Sequence, residues 1–323
     1  MTGRALAAGC AAALLLALAG CAPGGPPIGG PGLVPSRAPT SPAAVPSSPT
    51  PSRASPTSPS SAIQHIVVIV DENKPAHSVI GDPQAPYLTS LARAGALATA
   101  YSALTHPSLP NYLALTSGTT DGITSDCNPP GGSCLITGPN LAQALDRAGR
   151  SWRMYAESMP TPCTTANTPL YAVKHNPFLY FPSVTSSAAY CAAHDVPYSD
   201  LAGDLASAST LPAFSFISPN LCNDMHNCSV ATGDAWLKAN VSAILTSPAF
   251  TTQRSLLVVT FDEGDSGDNV VACVFAGPAA RAHTVVATPF THYSLLRTIE
   301  EAWGLAPLTG ADAGAVVMTG MVG

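Results

Sequence analysis

Two unbroken runs of apolar, mostly β-branched residues constrain this chain more than any other feature. They are His65-Ile66-Val67-Val68-Ile69-Val70 and Leu256-Leu257-Val258-Val259-Thr260-Phe261. A half-exposed strand alternates apolar and polar residues. A continuous run predicts a strand buried on both faces, as in a mainly parallel sheet covered by helices. Residues 214–217 and 270–276 are two further strand candidates, the first of them weaker. Helical patterns lie at 87–94, 140–148, 234–245 and 292–303. Strands alternating with helices predict an α/β domain with a mainly parallel central sheet. Residues 126–195 carry many Pro, Asn and Cys residues and little periodicity, so long loops or an insert over a site are expected there.

The N-terminal part reads differently. Arg4 precedes an apolar stretch, 5–19, that is too short to span a bilayer and ends in Leu18-Ala19-Gly20-Cys21. That string resembles the bacterial lipobox, whose cysteine is lipidated. The expectation is a signal peptide at 1–21 and a lipid anchor at Cys21 that makes the membrane a partner; the rival reading is an ordinary cleaved signal with an accidental cysteine. Residues 22–61 are Pro, Ser, Thr and Gly with almost no large apolar side chain, which predicts a disordered spacer. Residues 62–323 form the expected catalytic domain. The protein is thus expected to be exported, on the outer face of the cell membrane or secreted. A net charge of −6 and the lack of a basic patch disfavour nucleic acid. Past Cys21, seven cysteines remain, and nearest-neighbour pairing gives Cys127–Cys134, Cys163–Cys191 and Cys222–Cys228 with Cys273 left over. The sequence alone does not choose among the connectivities. It carries no C-x₂-C spacing for a zinc–thiolate site, and it is silent on oligomeric state.

Both long strand runs end in acid: Asp71-Glu72-Asn73 after the first, Asp262-Glu263 after the second. The 214–217 run leads into Asn220-Leu221-Cys222-Asn223-Asp224-Met225-His226. Open α/β sheets bind ligands beyond the carboxyl ends of their strands. Carboxylates gathered there call for a cation; the alternative for each cluster is a solvated turn, to which Gly264 and Gly267 lend themselves. In Thr105-His106-Pro107-Ser108-Leu109-Pro110-Asn111-Tyr112, Ser108 precedes an apolar helical pattern. Its hydroxyl either sits at a helix N-terminus suited to an anion or only caps that helix. Of the eight histidines, His175, His226 and His292 have the most suggestive settings, and His65, His77, His106, His194 and His283 are set aside as structural.

With segments 66–73, 106–118, 174–181, 218–236, 257–264 and 288–304 in this order, the chain resembles a bacterial phosphoesterase family. That family holds phosphatidylcholine-type phospholipases C and respiratory-burst-inhibiting acid phosphatases, within the alkaline phosphatase superfamily. His-Pro-Ser-Leu-Pro-Asn-Tyr and Asn-Asp-Met-His are the most specific segments. The resemblance implies a three-layer α/β/α sandwich and a divalent metal ion of unspecified identity and number. It implies Glu72, Asn73, Asp262 and Glu263 as metal ligands and Ser108 as the nucleophile. His175, Asp224, His226 and His292 fall in catalytic positions, and Asn111 in a substrate-binding one. Either His226 or His292 would protonate the leaving group. The implied substrate is a phosphate ester. A phosphomonoesterase of the acid phosphatase kind is the leading expectation; a phospholipase C or other phosphodiesterase is the alternative, and a non-catalytic surface binding lipoprotein a lesser one. The chain departs from the larger phospholipases in ending soon after Trp303 and in following Glu263 with Gly264-Asp265-Ser266-Gly267-Asp268. No Cys-x-Pro-x-Arg string of the sulfatase kind is present.

Overall fold

The computed structural model describes residues 62–323 except 266 and 268, so the expected signal, Cys21 and the 22–61 spacer lie outside the described residues. In chain order the strands are β1 His65–Asp71, β2 Ala96–Ala98, β3 Tyr101–Ser102, β4 Trp152–Ala156, β5 Asp195–Pro197, β6 Phe214–Ser218, β7 Ser255–Phe261, β8 Cys273–Ala276, β9 Thr284–Val286 and β10 Phe290–Thr291. Eight of them form one sheet in the order β5-β4-β6-β1-β7-β8-β2-β9. Its neighbours run parallel except at β8, which is antiparallel to both β7 and β2. The remaining pair, β3 and β10, forms a short parallel ribbon.

All seven residues of β1 and all seven of β7 are buried. Their β-branched side chains suit that double burial, and each large aliphatic side chain removed from water contributes about 1.5–3 kcal/mol. Helices cover both faces, giving a three-layer α/β/α sandwich. Helix Pro86–Ala94 packs against helix Val230–Leu245, and helix Ser108–Ser117 against helix His292–Trp303. The helix boundaries follow local chemistry. Ser229 accepts from the Thr232 N–H and so starts Val230–Leu245 four residues ahead of the sequence pattern. Asn140 caps Leu141–Arg147 in the same way, and Gly304 closes His292–Trp303 with φ 65°.

Residues 126–195, expected as long loops or an insert, hold regular elements between their loops. They contribute β4, which sits inside the sheet between β5 and β6, and three α-helices, Leu141–Arg147, Pro182–Thr185 and Ala188–His194. The aromatic run there is core: Phe178, Tyr180 and Phe181 are fully buried, and Trp152 lies 4.7 Å from Phe178. It provides no apolar groove for a lipid. The disulfides are Cys127–Cys134, Cys163–Cys191 and Cys222–Cys228, and Cys273 is a buried free thiol on β8.

Gly233, on helix Val230–Leu245, lets that helix press on the loop after β6. A Cβ there would lie 2.4 Å from Met225 Cγ and 2.8 Å from the Asn223 carbonyl oxygen. The Gly233→Ala variant is therefore expected to lose about 1–3 kcal/mol of stability by overpacking and to displace Asp224. Thermal unfolding checks this; a variant as stable as wild type contradicts it.

Candidate active site

The site forms where β1, β6 and β7 end. The Asp262 N–H donates to the Asp71 carbonyl at 2.9 Å, and the Glu72 N–H to the Asp224 carbonyl at 2.9 Å. Glu72 is completely buried. Its Oε1 accepts from Tyr112 Oη at 2.8 Å and its Oε2 from Ser108 Oγ at 3.1 Å. His175 Nε2 lies 2.9 Å from Oε1, an ion-pair distance without the alignment of a hydrogen bond. His175 Nδ1 lies 3.5 Å from Asp224 Oδ2, and its ring stacks on Tyr112 at 5.3 Å. Burial pushes the Glu72 carboxyl up, but His175 and then Lys174 outweigh it and hold the group at about 2. Burial pulls His175 down, while Glu72 and Asp224 prevail and lift it to about 9.

Ser108 is the first residue of helix Ser108–Ser117, and the capping position belongs to Pro107. The cap-only reading therefore fails: the hydroxyl turns to Glu72, and Glu263 Oε1 lies 3.5 Å away. From the other side Lys174 Nζ donates to Ser108 Oγ at 3.1 Å and to Asp126 Oδ2 at 2.9 Å. Asp126 Oδ1 accepts the Leu109 N–H of the helix's first turn at 3.0 Å. His106 Nδ1 is 2.9 Å from Glu263 Oε2, with the histidine 44% exposed.

The other expected residues divide. Asn111 is buried and engaged: Oδ1 accepts from the Leu104 and Thr105 N–H groups, and Nδ2 faces the Thr105 and Pro107 carbonyls and Glu263. It clamps the loop ahead of Ser108, at the position the resemblance implies for a substrate-binding residue. His292 is buried, with Nε2 on the Asp262 carbonyl at 2.6 Å and Nδ1 on Tyr101 Oη at 2.9 Å. Burial holds it down at about 4. Both ring nitrogens are thus committed, and its work is to fix the end of β7. His226 is exposed, its ring centroid 6.3 Å from that of His175. The loop bearing Asp224 and His226 is closed by Cys222–Cys228 and tied to Glu157, which accepts from the Asn220 N–H, Asn223 Nδ2 and Trp236 Nε1.

Four of the expected residues fit a hard divalent cation by their chemistry. Asn73 sits at φ 51°, a left-handed conformation that asparagine tolerates well. Its Oδ1 and the Asp262 Oδ2 are buried oxygens with no protein hydrogen-bond partner. Burial, then Glu72 and Glu263, drive the Asp262 carboxyl well above its ordinary range; burial, then Glu72, push Glu263 to about 8. Dry oxygens that repel one another are the donors such an ion takes. Among the described residues no three His, Cys, Asp or Glu side chains already form a ligating cluster. One donor here is an asparagine, and Glu72 is turned toward Ser108, Tyr112 and His175.

Lys174, Asp126, Tyr112, His106 and Glu157 escaped the sequence reading as site residues. Only Tyr112 left a usable signal, since it stands one helical turn after Ser108 and shares its face. The Glu72–His175 pair has a worked pH dependence. His175, raised from 6.5, contributes stability that is complete below pH 6.5 and lost as pH rises through about 9. Glu72, lowered from 4.5, contributes stability that is complete above pH 4.5 and lost as pH falls through about 2. In chelator-treated protein the thermal midpoint is expected to fall between pH 6.5 and about 9, more in wild type than in His175→Gln. Parallel curves contradict the pairing.

The Phosphoesterase family model matches residues 81–306. A phosphatidylinositol-3-phosphatase of Mycobacterium tuberculosis is 39% identical over 261 residues, covering 80% of this chain and 83% of that protein. A phosphate-repressible acid phosphatase of Penicillium chrysogenum is 35% identical over 244 residues, covering 71% of this chain and 57% of that protein's length. In fold the chain is similar to a protein in the alkaline phosphatase superfamily from Vibrio parahaemolyticus. The TM-score is 0.56 at 14% identity, over 80% of this chain and 70% of that one. The chain belongs to the Phosphoesterase family and is a hydrolase acting on phosphoric ester bonds.

Proposed function

We propose that this chain is a metal-dependent phosphomonoesterase of the acid phosphatase kind that works outside the cell membrane with Ser108 as its nucleophile. One observation carries the reading: a buried serine hydroxyl at a helix start, 3.1 Å from Glu72 Oε2 and 3.1 Å from Lys174 Nζ. Glu72, Asn73, Asp262 and Glu263 would hold the cation. When bound, it would lower the hydroxyl pKa and neutralise charge on the phosphoryl oxygens. Ser108 donates its proton toward Glu72, which leaves an oxygen lone pair for phosphorus. Attack forms the Oγ–P bond and breaks the bond to the leaving alkoxide. His226 gives that alkoxide a proton, His292 being committed on both nitrogens. Water then cleaves phosphoserine and releases phosphate. His175 and Asp224 hold Glu72 in place.

Acid phosphatases among the relatives support the monoester reading. The phospholipase C alternative gains no support from the aromatic residues Phe178, Tyr180 and Phe181, because they are core. The binding-protein alternative leaves the gathered Ser108, Glu72 and Glu263 without work. Three disulfides support export to an oxidising compartment, with Cys21 as the proposed lipid anchor. Among the described residues no helix is long and apolar enough to cross a membrane.

Hydrolysis of para-nitrophenyl phosphate by the full-length protein tests the reading. Chelator is expected to abolish turnover and Mn²⁺ to restore it. Ser108→Ala is expected to lower kcat by about 10³-fold or more. A chelator-resistant rate, or a Ser108→Ala variant at full speed, contradicts it.

A further inference from the structure

The chain has three lysines, Lys74, Lys174 and Lys238, and one of them touches the proposed nucleophile. Lys174 Nζ lies 3.1 Å from Ser108 Oγ, with the side chain only 18% exposed. Cation binding and the Oγ–P exchange leave it without a task. Its second partner suggests one. The Asp126 carboxylate bridges Lys174 Nζ at 2.9 Å and the Leu109 N–H at 3.0 Å. An ammonium and a first-turn N–H held across two oxygens of one anion form a ready anion site beside the reacting oxygen. A phosphoryl group on Ser108 Oγ would bring a non-bridging oxygen within reach of the same Nζ.

Charge decides which phosphate gains most. Glu72, Asp224, Asp262 and Glu263 are four carboxylates against a divalent cation and the His175 cation, which leaves one negative charge. That residue of charge repels a phosphomonoester dianion more than a diester monoanion. We propose that Lys174 sets a preference for monoesters: its ammonium neutralises the second negative charge that a monoester carries and a diester lacks. Asp126 holds the ammonium in place in the free enzyme and yields it to the phosphoryl oxygen. This rests on the Ser108 phosphoesterase reading and assigns its substrate class to one residue.

The test compares kcat/KM for para-nitrophenyl phosphate and bis(para-nitrophenyl) phosphate in full-length wild type, Lys174→Met, Lys174→Gln and Lys174→Arg. Losing one charged donor is expected to cost the monoester about 10²-fold or more. The monoester-to-diester ratio is expected to fall by roughly tenfold or more in both neutral variants, and to be kept by Lys174→Arg. An equal fall on both substrates overturns the proposal, since Lys174 would then serve only Ser108. Two neutral variants guard against one that fails to fold, with circular dichroism as the check. A second readout needs no turnover: calorimetric binding of inorganic phosphate and of dimethyl phosphate. The neutral variants are expected to weaken phosphate binding at least about tenfold more than dimethyl phosphate binding; equal weakening overturns the proposal. A wild type that hydrolyses neither ester contradicts the Ser108 reading, and the binding comparison then decides for Lys174 alone.

Discussion

The parallel register of β1 on β7 pairs Asp71 with Phe261, so the next residue of each strand, Glu72 and Asp262, leaves the sheet beside the other. Two adjacent buried carboxylates with Glu263 as a third are costly to hold together. Much else in the domain can be read as the answer to that cost. His175 supplies a positive charge to Glu72, Tyr112 a hydroxyl, and the Asn73 N–H a hydrogen bond of 3.1 Å to Asp262. Protein groups leave several oxygens here unmet, among them Asn73 Oδ1 and Asp262 Oδ2. In the proposed reading a divalent cation would satisfy those, and a serine placed against the same carboxylates would share its field.

The surroundings hold this arrangement stiff. Glu157, just past β4, fixes the loop that carries Asp224 and His226, and Cys222–Cys228 closes that loop. Asn111 clamps the backbone ahead of Ser108, so the residues that precede the helix are set by the helix itself. His292, reaching from its own helix, holds the Asp262 carbonyl. The proposed nucleophile thus rests on well-packed elements, while His106 and His226 are the more exposed groups around it.

The sheet was legible in the sequence wherever a strand is buried on both faces. The runs at β1 and β7 could be little else, and their acidic endings announced the site. β4 was not legible: Trp-Arg-Met-Tyr-Ala has no aliphatic run, and it owes its inner position to pairing with β5 and β6. The same holds for side chains. Ser108 stood out because a helical pattern follows it, but its partners come from Lys174 and Asp126, distant in sequence and joined only by folding. His106 looked structural because a lone histidine beside proline carries no pattern; the contact with Glu263 that matters spans more than 150 residues of chain. Asn111, a polar residue near the nucleophile, spends most of its hydrogen bonds on backbone and one on Glu263, contacts that its sequence setting did not reveal. The unpartnered oxygen on Asn73 is carried by a left-handed backbone that no composition reveals.

The central claim, that the carboxylates at the ends of β1 and β7 hold a cation, is tested most directly by calorimetric titration of Mn²⁺ into chelator-stripped protein in buffers of different ionisation heat. Asp262 and Glu263 both bind protons more tightly than ordinary carboxyls, so a cation entering there displaces protons. The account predicts saturable binding whose heat changes with the buffer, weakened at least about tenfold in Asp262→Asn through loss of a charged ligand. Binding that is absent in wild type, or equal in the variant, would contradict it.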